Sequence, residues 1–360
     1  MPAVPKERTL TVRELNRALL ARQLLLRRAT VSPARAVERI GALQAQWPPS
    51  PYVALWSRLE GFQREQLMRA VERRQLLKAT LMRSTLHLVS AHDYLAFCGL
   101  VRAARLRDVR RIAERDGLAD DVARLLPRLR DAVDAAPRSR PELLERLGMP
   151  KLRAEDRRAW HLWHALASEA ELVHTPAASV WRLHTAGARF VTAASWLGAR
   201  GGAGPDAADA LVARYLTAFG PATRADAAQW TGLAAAALAP TFDRLRLRRF
   251  RDAEGRELFD APRAPLPSGS TDAPVRLLPM WDSALLAHVD RSRILPPHLR
   301  EAVIRRNGDI RPTFLVDGFV AGTWNLDGER VDVEPFGPLP AEARAELKRE
   351  ARALESWLGA

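Results

Sequence analysis

The chain has a single cysteine, Cys98, set in an apolar stretch with Leu95, Ala96 and Phe97. One thiol permits no intrachain disulfide and no cysteine zinc cluster, and a buried structural role suits it better than that of a nucleophile. No apolar run approaches the roughly 18 residues that a membrane span needs. Met1 to Leu10 is charged and lacks the apolar core of a signal peptide. These absences lead us to expect a soluble, cytoplasmic protein. Also missing are a Walker loop, a G-x-G-x-x-G after a strand, H-E-x-x-H and G-x-S-x-G, so no nucleotide cofactor or metal is expected. His161 and His164 stand at i,i+3, a spacing that can chelate a metal, but no nearby carboxylate or cysteine completes a set. Structural or surface roles are expected for both.

Lysine is scarce too: it supplies four of the 56 basic residues. GC-rich coding bias explains arginine in place of lysine. It does not explain the excess over 42 acidic residues, which leaves a formal charge of +14. Such a balance favours a polyanionic partner, because each phosphate neutralised by a basic side chain releases condensed counterions. At 360 residues, 47% hydrophobic and 27% charged, the chain can bury cores for two or three domains.

Along the chain, helices followed by a strand pair occur three times. Thr11 to Leu26 is an amphipathic helix capped by Thr11 with Glu14 three residues on. A second helix starts at Ser32 with Pro33 in its first position, and is expected to run to Pro48-Pro49. Helices through Tyr52–Leu59 and Gln63–Arg74 lead to strands at Leu76–Met82 and Ser84–Ser90. The next unit follows a long helix from His92 to Arg115. It has helices at Asp120–Val133, after the capping box Ser139-Arg140-Pro141-Glu142, and at Glu155–Glu171, then a strand pair within Leu172–Thr192. The third unit is the clearest: Ala207–Phe219, a short helix from Thr223 to Trp230, a turn at Gly232, a helix from Ala234 to Leu247, and a hairpin around Glu254-Gly255. A short helix, a glycine turn and a second helix form a helix-turn-helix. Pro262–Pro274 reads as a linker. Beyond it come a strand at Val275–Met280, a hairpin turning at Asp317-Gly318, and a closing helix from Pro340 to Leu358. The expected division is 10–92, 93–200, 205–262 and 275–360, in an α+β chain that is mostly helical.

Gln44-Ala45-Gln46 falls on the second helix, whose apolar stripe is Val37, Ile40, Leu43 and Trp47. Gln44 sits at the edge of that stripe. In an ideal helix the two glutamines would diverge by about 200°, but the proline pair would fray the end and let them converge. A helix C-terminus also presents partial negative charge, suited to a developing cation. Two glutamines near a helix end are, on this ground alone, more often ordinary polar residues.

Several longer segments carry a resemblance. Gln44-Ala45-Gln46, Leu81-Met82-Arg83-Ser84-Thr85-Leu86-His87-Leu88-Val89, the run from Leu278 to His288, Asp290-Arg291-Ser292-Arg293, and Pro312 to Gly318 resemble the winged-helix bacterial DNA glycosylases of the AlkZ/YcaQ type. The resemblance spans about residue 10 to 358. It implies three tandem winged helices in a C shape around duplex DNA, with a small β-rich C-terminal part. It also implies a catalytic Gln-apolar-Gln or Gln-apolar-Asp motif, here Gln44 and Gln46. The Gln-Gln form resembles the branch that unhooks interstrand crosslinks and protects antibiotic producers from their own product. The implied substrate is duplex DNA with purines alkylated at N7 or N3, whose positive charge already weakens the glycosidic bond. Neutral amides can hold the water and face an oxocarbenium-like sugar.

DNA contact is expected at Arg83 beside the first wing, at the polar run His288, Asp290, Arg291 and Arg293, and at the Asp317-Gly318 tip as a wedge. For Arg83 a merely solvated side chain is the alternative, for the polar run a buried structural network, and for the tip a plain turn. The rival to catalysis is a dimeric winged-helix transcriptional regulator. Three units without a long dimerisation helix argue for a monomer instead. The charge predicts affinity for undamaged duplex that falls steeply with salt and is indifferent to sequence. Binding titrations from low to high salt check this; a flat dependence, or tight binding to one operator, would favour the regulator.

Overall fold

The computed structural model describes residues 7–153, 155–176 and 188–359. The chain is about half helical. Helix α1 (Val12–Arg22) has the expected capping box, Thr11 and Glu14 satisfying each other's backbone N–H groups. Ser32 caps α2 (Pro33–Ile40). Here the structure corrects the expectation. Helix α2 does not run to the prolines; it stops at Gly41, whose φ of +79° closes the helix in the left-handed conformation. Ala42 is also left-handed, at φ +82°, and the chain turns into a short strand, β1 (Leu43–Gln44). Glycine is required at 41 for a second reason: a Cβ there would lie 2.9 Å from the Phe219 ring. The proline pair starts a helix, α3 (Ser50–Arg58), instead of ending one.

Helix α4 (Arg64–Glu72) leads into β2 (Leu76–Thr80) and β3 (Leu86–Ser90). There follow α5 (Ala91–Arg115), α6 (Ala119–Ala135), β4 (Arg138–Ser139), α7 (Arg140–Leu147) and α8 (Arg157–Glu169). The Ser139 capping box is present. Strands β5 (Leu172–His174) and β6 (Arg189–Thr192) precede the short α9 (Ala193–Leu197). The expected strand pair between Leu172 and Thr192 therefore exists, while residues 177–187 lie outside the described part. All six strands form one sheet in the order β1-β3-β2-β5-β6-β4. The joint is β2 against β5, with Lys78 opposite His174 and Ala79 opposite Val173, so the first two sequence units share a sheet.

Helix α10 (Pro205–Phe219), α11 (Arg224–Thr231), α12 (Ala235–Arg244), β7 (Arg248–Arg251) and β8 (Glu257–Asp260) follow the order marked in the sequence. Thr223 and Asp226 form the capping box of α11, and Gly232, at φ +75°, ends it. Tyr215, Phe219 and Trp230 make a buried aromatic triangle with centroids 5.4–5.5 Å apart, which fixes α11 against α10.

The chain from 262 to 275 has no regular structure, yet it is pinned to α1. Arg22 donates to the Pro265 carbonyl, Arg13 to that of Gly269 and Arg17 to that of Thr271. Next come β9 (Arg276–Leu278), α13 (Ser283–Leu286), α14 (Arg300–Val303), β10 (Thr313–Val316), β11 (Phe319–Asp327), β12 (Arg330–Pro335) and α15 (Ala341–Gly359). An antiparallel sheet, β12-β11-β10-β9, packs between α3 and α15. Trp324 is fully buried there, donating to the Leu278 carbonyl, and Trp357 donates to that of Phe62. This C-terminal part shares one core with α2, α3 and α4.

A fully buried electrostatic tie between the two ends of the chain is Arg58 on α3 with Asp282, the N-cap of α13. Both are wholly buried, and the guanidinium makes two hydrogen bonds to the carboxylate, of 2.8 and 2.9 Å. Breaking a buried pair by removing one partner leaves an uncompensated charge and costs about 3–5 kcal/mol. Arg58→Met is therefore expected to lower the melting temperature markedly in thermal denaturation. An unchanged midpoint would show that this pair does not hold the two ends together.

Candidate active site

Strand β1 pairs antiparallel with β3, Leu43 opposite Leu88 and Gln44 opposite His87. The Ala45 N–H continues the ladder to the Leu86 carbonyl at 2.7 Å. In extended chain, residues two apart share a face, so Gln44 and Gln46 point the same way. Their amides meet: Gln44 Nε2 donates to Gln46 Oε1 at 2.5 Å. The two sit differently. Gln44 is buried, 6% exposed, whereas Gln46 is exposed. The argument from a helix C-terminus and its partial charge does not apply, because α2 ends before either residue.

Arg83 lies in the turn between β2 and β3, with a left-handed backbone at φ 54°, ψ 24°. It was expected to face DNA phosphate. Instead its guanidinium is engaged inside the protein: Nη1 donates to the Trp230 carbonyl at 2.6 Å, and Nη2 to Gln44 Oε1 at 3.4 Å. Burial, and then the facing charge of Arg291, pull its pKa down to about 10, so it stays a cation at neutral pH. Arg291 is half-buried, and its Nε is buried with no hydrogen-bond partner among the described residues. Burial, followed by the nearby Arg300, lowers its pKa as well. The glutamine pair thus has an arginine, not a carboxylate, as its charged neighbour.

His87, across the ladder from Gln44, is buried, and its Nδ1 lies 2.9 Å from the Thr85 carbonyl oxygen. Burial and the Arg83 charge push its pKa down to about 3. It is neutral at physiological pH.

Five more of the residues expected at DNA are engaged within the protein. His288 is 1% exposed and bonds through Nε2 to the Phe219 carbonyl at 3.0 Å. Burial, then Arg293, takes its pKa to about 3. Arg293 is buried and donates to the Pro221 carbonyl. The Asp317-Gly318 tip is docked on α1, where Arg13 and Arg17 bind the Asp317 carboxylate and Asn16 donates to the Gly318 carbonyl. A Cβ at Gly318 would fall 2.4 Å from Asn16 Oδ1, so the close docking of the tip on α1 requires glycine there. Asp290 is half-buried. Burial opposes its ionisation, but the Ser292 N–H and the Arg256 guanidinium hold the carboxyl at about 2. His161 pairs with Asp116 and His164 stacks on Trp160, so each of that pair has a structural contact.

Sequence reasoning missed His87 and the Arg83–Gln44–Trp230 contacts. Gly41 was the available signal, since a glycine just past a helical stripe marks a C-terminus. The register of β1 on β3 left no local mark.

With this geometry in place, known proteins resolve the class. The DNA glycosylase AlkZ-like family matches residues 37–357. The chain belongs to the AlkZ-like DNA glycosylase family. An interstrand DNA cross-link repair glycosylase of Streptomyces sahachiroi is 29% identical over 351 residues, 88% of each chain. The solved structure of the Streptomyces sahachiroi DNA glycosylase AlkZ superposes with a TM-score of 0.80, covering 98% of this chain and 97% of that one at 24% identity. The fold is therefore shared along its whole length. The protein is a DNA N-glycosylase, a hydrolase, and the transcriptional-regulator reading is left without support.

The glycosylase's buried histidines set a pH dependence. His87 and His174 are both fully desolvated, with folded pKa values near 3, burial being the first cause in each. In the unfolded chain they take up protons near 6.5. Stability from each is full above that value and is lost as the pH falls from 6.5 toward 3, by about 2 kcal/mol apiece at pH 5. Melting temperatures are expected to drop between pH 7 and pH 5. They should drop less for His174→Gln, and an identical drop in that variant would remove His174 from the account.

Proposed function

We propose that the enzyme hydrolyses the N-glycosidic bond of purines alkylated at N7 or N3 in duplex DNA, with Gln44 and Gln46 as its catalytic residues. We further propose that it unhooks interstrand crosslinks, as resistance to a DNA-alkylating natural product. The observation that carries this reading is the pair of hydrogen-bonded neutral amides, one buried and one facing solvent, with no carboxylate among their bonded partners. A cationic lesion needs no strong acid to leave. It needs a placed water and tolerance of positive charge at C1′. With Gln44 fixing its neighbour, the exposed Gln46 amide has acceptor and donor capacity left for water or sugar. The similarity to a cross-link repair glycosylase supports the wider substrate range.

Half-buried and unpaired, Arg291 is the natural ligand for a backbone phosphate beside the lesion. The three runs of helices closing on strand pairs support reading 10–92, 93–200 and 205–262 as tandem winged helices in a C shape around DNA, followed by a β-rich part at 275–360. Among the described residues no helix is long and apolar enough to cross a membrane. We place the enzyme in the cytoplasm, as a monomer acting on duplex DNA.

Gln44→Ala and Gln46→Ala are each expected to slow release of N7-methylguanine by about 10²-fold, the scale of one lost preorganised contact. DNA affinity and melting temperature should stay near wild type. Gln46→Asp, which recreates the family's other motif, is expected to keep activity on simple alkyl-purines. Single-turnover excision at saturating enzyme is the assay. If both alanine variants match wild type, these residues are not catalytic.

A further inference from the structure

Arg83 makes contacts that a phosphate ligand would not need. Its backbone and that of Ser84 are both left-handed, at φ 54° and 57°, a conformation that is unfavourable for a non-glycine residue and persists only when the surroundings impose it. The surroundings here are the helix-turn-helix of α11 and α12. Gly232, in the turn, lies so close that a Cβ on it would be 3.0 Å from the Arg83 nitrogen. The Trp230 carbonyl that accepts from Nη1 belongs to the last turn of α11, where carbonyls lack intrahelical partners and carry the negative end of the helix dipole. The other arm of the fork reaches Gln44 Oε1. That contact leaves Gln44 its NH₂ for Gln46 and fixes which way round the buried amide sits.

We propose that Arg83 is a positioning residue. It locks the Gln44 amide by bridging it to the carbonyl end of α11, and so ties the placement of the catalytic strand to the α11–α12 helix-turn-helix. This rests on the reading of Gln44 as catalytic. Binding of DNA by α11–α12 is then felt at β1 through one guanidinium. Arg291, not Arg83, is left to meet the phosphate.

The test is a double-mutant cycle with Arg83→Ala, Gln44→Ala and the double variant, measured as single-turnover excision of N7-methylguanine at saturating enzyme. Misplacing a reacting group costs about 10- to 100-fold, and Arg83→Ala is expected to lose that much with unchanged affinity and an unchanged salt slope. The double variant should be no slower than Gln44→Ala alone. Losses that multiply would overturn the proposal. So would a wild-type rate at saturation joined to a salt slope reduced by about one, the signature of a phosphate contact. Arg83→Lys, which can reach only one of the two acceptors, should fall between wild type and Arg83→Ala, and it carries the same cycle if the alanine variant does not fold. Gln44→Ala at the wild-type rate would sink the catalytic reading itself, and this inference with it.

Discussion

The pairing of β1 with β3 is the constraint on which the site depends. Had α2 continued to Pro48, Gln44 and Gln46 would have faced apart by about 200°. The left-handed pair Gly41 and Ala42 stops the helix, and the ladder to Leu86 and Leu88 then holds the chain extended. Side chains two apart are brought to one face, and their amides bond. The same register sets Gln44 opposite His87 and within reach of Arg83. Few residues are involved, but the ring of Phe219 against Gly41 transmits the packing of α10 into this turn.

Electrostatics around the site make sense once the polymer is considered along with the base. Arg83 and Arg291 repel each other and remain charged at neutral pH, while His87 is neutral. Alone, such a site would disfavour a cationic purine. Duplex DNA brings a phosphate with every nucleotide, and in the proposed function a backbone phosphate held by Arg291 would reverse the local sign. In that proposal the neutral amides, one buried and one facing solvent, act on the sugar without competing protons. Some of the 56 basic residues never reach the surface: Arg17, Arg22 and Arg58 are buried and hold carboxylates and backbone carbonyls. The net charge therefore measures long-range attraction, and does not count DNA contacts.

What could be read directly was whatever depends on near neighbours. The capping boxes at Thr11, Ser139 and Thr223, the turn at Gly232 and the Asp317-Gly318 hairpin are local chemistry, and each stands where its residues place it. The strand β1 was misread as helix because its apolar residues continue the stripe of α2; Gly41 was the contrary signal. The shared six-stranded sheet, the docking of the hairpin tip on α1, and the burial of His288 and Arg293 depend on partners far away in sequence. Asn16 and Gly318, or His288 and Phe219, have no spacing by which one announces the other. A dense polar run reads alike whether it faces DNA or a neighbouring helix.

The central claim is that two neutral amides face the sugar as positive charge develops on it. A structure of the enzyme with duplex DNA carrying a cationic pyrrolidine in place of the lesion nucleotide tests this most directly, since the ring nitrogen mimics that charge. The account predicts an amide oxygen of Gln44 or Gln46 within about 3 Å of the ring nitrogen or of a water bonded to it, with Arg291 on an adjacent phosphate. A pyrrolidine bound elsewhere, with both glutamines out of contact and a carboxylate in their place, would contradict it.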